Sequence, residues 1–108
     1  MKISVLGTEY DFIETTSRDD LRLADADGCC GTYDKTILIE KVIFAYEQGG
    51  DMDMQRAERT KYVKRHELVH AFLFESGLED LALNEQIATW IAKQFPKMLE
   101  AFRQVDAL

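Results

Sequence analysis

The chain has 108 residues, 46% of them hydrophobic and 31% charged, with a single proline, which is the composition of a folded domain and not of a disordered or low-complexity segment. Thirteen basic against twenty acidic side chains give a formal charge of -7, which repels nucleic-acid phosphates and anionic lipid, so neither a nucleic acid nor a membrane is expected as a partner. With no signal-peptide core and no apolar run long enough to span a bilayer, the expected location is cytoplasmic, and the length predicts one domain over residues 1–108.

Lys2 to Leu6 and Tyr10 to Thr15 alternate apolar and polar residues around Gly7-Thr8, the pattern of a β-hairpin. SRDDLRLADADGCCGTYD is rich in aspartate and glycine and reads as loop. Its adjacent Cys29 and Cys30 could pair only in a strained ring, so they read as free thiols. TILIEKVIF, starting at Thr36, predicts a third strand, and Gly49-Gly50-Asp51 then breaks the chain.

From Asp53 the pattern turns helical, with Tyr62, Val63, His66, Val69, His70 and Leu73 recurring at three- and four-residue steps and Gly77 as a stop. LVHAFLF is apolar almost all round, which marks a helix covered by the sheet on one side and by helices on the other. A last helical region runs from about Asp80 to Val105, and Pro96, which lacks a backbone donor, is expected to end one helix and begin another. The predicted fold is therefore α+β: a small three-stranded sheet packed on a buried helix, then a second helix and a C-terminal one.

The chemistry concentrates in VKRHELVHAFLF, which holds both histidines of the chain. Side chains four apart on a helix lie one above the other, so His66 and His70 can present imidazole nitrogens to one metal ion. Glu67 sits about 100° around the helix from His66, where it can accept a proton from an activated water without ligating the metal. Burying two imidazoles and a carboxylate without partners costs several kcal/mol, and a metal is the simplest compensation. Catalytic zinc usually takes three protein ligands, and with no third histidine the last must be a carboxylate or a thiolate. Glu85 is the preferred candidate because it shares a helical face with Leu81, Ala88 and Ala92 and so projects from an apolar stripe. The plain alternative is a solvated glutamate at a helix start, favoured there by the dipole. Glu75, Glu79 and Asp80 fall at a helix end or in a turn, where acids are usually solvated.

RHELVHAFLFESGL followed by NEQIATWIAKQFPKM resembles the ImmA/IrrE-type zinc metallopeptidases, in particular the short forms found in bacterial phages and prophages. The resemblance implies a minimal zincin-like domain in which His66, His70 and Glu85 hold Zn2+ and Glu67 is the general base. Larger members carry further domains for which this chain has no room. An oxyanion-stabilising residue is not evident; Tyr33, Tyr46 and Tyr62 are the aromatic candidates, though each is more often a core or rim residue.

The expected activity is hydrolysis of peptide bonds in a peptide or protein substrate, with Glu67 taking the proton of the attacking water and returning it to the leaving amine. TILIE could offer a strand edge to an extended substrate, or be an ordinary paired core strand. Two rival readings stand beside this one. In the first, the metal persists in a weak or inactive zinc-binding interaction protein of phage origin. In the second, Cys29 or Cys30 closes the site as a fourth ligand.

Overall fold

In the computed structural model the described residues are 1–43 and 50–108, so Phe44, Tyr46 and Gly49 lie outside them. The chain begins with the expected hairpin, β1 (Lys2–Val5) and β2 (Thr8–Thr15), paired antiparallel with Val5 opposite Thr8. The two linking residues, Leu6 and Gly7, both take positive φ, +50° and +89°, which is the backbone of a tight two-residue turn.

The segment from Ser17 to Asp34 is more than a loop. It holds a single 3₁₀ turn at Leu21–Leu23 and a strand, β3 (Gly28–Gly31), absent from the sequence expectation. A further strand, β4 (Thr36–Glu40), pairs parallel with β2 and antiparallel with β3, so among the described residues the sheet has four strands in the order β1-β2-β4-β3, not three. TILIE is consequently an inner strand, and the edges of the described sheet are β1 and β3. The strand also ends at Glu40, short of the predicted Phe44.

Alternation along β4 sends Ile37 and Ile39 to one face, where they join Val5, Tyr10, Ile43, Val63 and Ala71 in the core. Leu38 turns to the other face and is buried as deeply, as is Leu23 of the 3₁₀ turn. Glu40 is also buried, and its carboxylate accepts from the backbone N–H groups of Ser17 and Val42.

Three α-helices complete the fold among the described residues. The long helix α1 (Met52–Glu75) starts one residue before the expected Asp53, because Asp51 caps it by accepting from the Met54 N–H at 3.1 Å. It ends as predicted at Gly77, whose φ of +81° allows Gly77 N–H to bond Phe74 O and Leu78 N–H to bond Leu73 O. A one-turn helix, α2 (Glu79–Ala82), follows, then α3 (Glu85–Gln104), capped by the Asn84 side chain on the Ile87 N–H.

Pro96 does not interrupt α3, contrary to expectation. A proline in a helix leaves the carbonyl four residues earlier without its donor. Here that carbonyl belongs to Ala92, and Arg65 of α1 donates its Nε–H to it at 2.7 Å. The helix therefore keeps its course, and the same bond ties α3 to α1. Among the described residues no helix is long and apolar enough to cross a membrane.

Candidate metal centre

His66 and His70 fall on the stretch of α1 that crosses under the sheet, and the helix that begins at Glu85 brings its first carboxylate over them. Glu85 Oε2 lies 2.8 Å from His66 Nε2, Glu85 Oε1 3.1 Å from His70 Nε2, and the two Nε2 atoms are 3.2 Å apart. The donor atoms of the three residues all lie within 4.8 Å of one another.

The hydrogen bonds behind the rings orient them. His70 Nδ1 lies 2.5 Å from the Ala82 carbonyl, which can only accept, so Nδ1 donates and Nε2 is the atom turned toward Glu85 and His66. His66 Nδ1 has the Tyr62 hydroxyl at 3.5 Å, an arrangement that turns its Nε2 the same way. Two ring nitrogens and a carboxylate then converge on one point. A proton shared with Glu85 joins two of these groups; a metal ion could use all three at once.

The spacing can be tested against zinc itself. Nitrogens at about 2.0–2.1 Å from a tetrahedral ion lie about 3.3–3.4 Å apart, close to the 3.2 Å found between the two imidazoles. Two imidazoles and a carboxylate are also a donor set that suits zinc and leaves a coordination position open. The residues present fit the metal.

Glu85 nonetheless differs from its expected setting. Its side chain is 71% exposed, at the mouth of the site and not within an apolar interior, because it occupies the first position of α3 just after the Asn84 cap. The predicted companions are split as well: Ala88 and Ala92 are buried against α1, while Leu81 is largely exposed. The helix-start reading and the ligand reading thus describe one residue in one place.

Glu67 stands apart from the cluster of three donors. Its nearer oxygen is 3.9 Å from His66 Nε2, and the side chain is buried. Burial pushes its carboxyl up to about 7, with His70 opposing the shift and the negative Glu85 adding to it. The cause of the burial is β3. A Cβ on Gly28 would come within 2.8 Å of both Glu67 Cγ and Val63 Cγ1, so only glycine lets the strand lie this close to the helix. Composition hid the strand, since two glycines and two cysteines give little β signal.

Two clefts open from the centre, one on either side, and both reach Gly28, Glu67 and Glu85. The larger, of about 910 Å³, is bordered by polar and charged groups including Arg18, Asp25, Asp27 and Glu40. The smaller, of about 360 Å³, is bordered by Tyr33, Phe74, Ala82 and Leu83.

The remaining candidates sort as follows. Tyr62 points at His66 Nδ1, behind the ring, and Tyr33 lies in the smaller cleft; Tyr46 lies outside the described residues. Neither cysteine joins the donor cluster. Cys30 packs against the core, where burial pushes its thiol up to about 12, and burial raises Cys29 as well; thiolate ligation has no support here. Glu79 lines the smaller cleft. Glu75 is no solvated helix-end acid: it accepts from Tyr10 OH at 2.8 Å, Thr8 Oγ1 at 3.1 Å and Lys35 Nζ at 2.6 Å.

No family model, no curated protein and no solved structure matches this chain.

Proposed function

We propose that the protein is a zinc-dependent peptidase of minimal zincin-like design, with His66, His70 and Glu85 as metal ligands and Glu67 as general base. One observation carries this reading: two imidazole Nε2 atoms and a carboxylate converge at 2.8–3.2 Å while a separate buried carboxylate stands 3.9 Å off. A purely structural site has no use for the fourth group. The ImmA/IrrE-type resemblance of RHELVHAFLFESGL supports the same assignment.

A bound zinc would supply Lewis acidity and a water that ionises near neutral pH. The chain's own groups account for the rest. Glu67, held by β3 and raised by burial, is poised to accept that water's proton near neutrality and to deliver it to the departing amine. The Ala82 carbonyl and the Tyr62 hydroxyl hold the two imidazole rings in orientation. An extended peptide would lie along β3, an edge strand among the described residues that passes beside Glu67, since backbone pairing holds a substrate without reading much of its sequence.

A second reading, a zinc-binding protein of phage origin that captures a partner without cutting it, is favoured by one observation: Tyr62 faces His66 and not the convergence point, so it supplies no oxyanion donor. Glu67→Gln separates the two. The variant should keep about one zinc per chain by elemental mass spectrometry and lose on the order of 10²–10⁴-fold in cleavage of an unstructured polypeptide. Wild-type protein that holds zinc and cuts nothing supports the second reading; cleavage that survives Glu67→Gln removes Glu67 as the base.

A further inference from the structure

We propose that the smaller cleft is a specificity pocket that selects a large apolar side chain, aromatic above all, on the N-terminal side of the bond to be cut. This rests on the peptidase reading and adds the substrate class to it.

The cleft is continuous with the centre, since Glu67, His70 and Glu85 form one of its ends. Its other walls are mostly apolar, with Thr32 and Glu79 as the polar exceptions. Tyr33 and Phe74 meet edge to face with ring centroids 5.6 Å apart, and Leu83 and Ala82 stand opposite on the α2–α3 side. Tyr33 is 88% exposed and Leu83 83% exposed. Two large apolar side chains thus stand largely in water beside a slot that reaches His70, Glu67 and Glu85. A side chain entering the slot would cover them both. At about 360 Å³ the slot is at the small end of the range for ligand pockets, a size for one side chain and not for a folded segment. The larger cleft also has apolar lining in Leu23, Val42 and Val63, but it carries the charges of Arg18, Asp25, Asp27, Glu40 and Arg59 as well, which suit a polar occupant better.

The strand edge gives the direction. β3 runs from Gly28, beside Glu67, toward Tyr33. Antiparallel pairing is the more stable kind, so a substrate added to β3 runs the other way, with its N-terminal part over Thr32 and Tyr33 and its C-terminal part toward Asp27. The residue just before the scissile bond then faces the apolar slot.

The test uses zinc-loaded full-length protein, an unstructured peptide series varied at the two positions flanking the cut, and phenylalanine and alanine hydroxamates as metal-binding probes. Cleavage should favour Phe, Tyr, Leu or Met over Ala by roughly tenfold or more, with that residue at the new C-terminus of the product. Phenylalanine hydroxamate should bind more tightly than alanine hydroxamate by a similar factor. The double substitution Tyr33→Ser, Leu83→Ser, both at exposed positions, should erase both ratios, with folding checked by circular dichroism. Cleavage with no such preference overturns the pocket and leaves the peptidase reading intact. Absent cleavage with the hydroxamate preference retained does the reverse. Selection at the new N-terminus overturns the antiparallel placement, and equal or no binding of the two hydroxamates overturns the proposal.

Discussion

Two polar clusters sit on the same helix, and they are built on opposite principles. At the end of α1, Glu75 takes hydrogen bonds from Thr8, Tyr10 and Lys35, so its charge is matched by an ammonium and its oxygens by donors from the sheet. Two turns earlier, His66 and His70 bring their Nε2 atoms within 3.2 Å of each other and of a carboxylate. The first cluster is complete and fastens the helix to the sheet. The second groups three atoms of the kind that could hold a metal ion, and on the proposed reading it is a site and not a clamp.

The strongest test of that contrast is metal content. Replacing His66 and His70 together by Ala should take bound zinc from about one per chain to none in elemental analysis, and stoichiometric zinc in the double variant would end the ligand assignment. A crossed comparison sharpens it. Glu85→Ala should weaken zinc binding by about tenfold or more in a competitive chelator titration, whereas Glu75→Ala should leave it unchanged. The reverse result would exchange the roles of the two carboxylates.

The clamp is tested through stability. Tyr10→Phe removes a fully buried hydroxyl that donates to a carboxylate, and should cost about 1–3 kcal/mol in urea unfolding with no change in zinc affinity. Its pH dependence has a defined sign. The Lys35 ammonium first, and then the Tyr10 hydroxyl, hold the Glu75 carboxyl below its ordinary range. The clamp therefore contributes fully above the unfolded value of about 4.3 and loses its contribution as pH falls through the lower folded value. Wild type and Glu75→Gln should differ most in melting temperature near neutrality and converge in acid; a gap that widens on acidification would contradict the ion pair.

What the sequence made legible was local. The hairpin, the helix through His66 and His70 and the Gly77 stop each depend on residues within a turn or two of one another, so periodicity and turn residues suffice to find them. Two of the failures involve partners far apart in the chain. Glu75 looked solvated because Tyr10 is 65 residues away. Pro96 looked like a break because the donor that rescues Ala92 is 27 residues away, on another helix. β3 was missed for a different reason: its glycines are there to let a helix approach, and a residue chosen for absence of bulk gives no positive signal of a strand.

The bond from Arg65 to Ala92 divides α3 into two mechanical parts. Ahead of it lie Glu85 and the buried Ala88 and Ala92, pressed on α1 and pinned one residue from His66. Beyond Pro96 the side chains are half-buried or exposed, and the last stretch, from Glu100 onward, is exposed throughout. Proline has no amide to protect, so the ladder is already notched at the boundary. Amide hydrogen exchange should therefore proceed from the C-terminal end as far as Pro96 without disturbing the half that carries Glu85, because opening there exposes little apolar surface. The candidate metal centre is in this way insulated from the fraying of the helix that brings Glu85 to it.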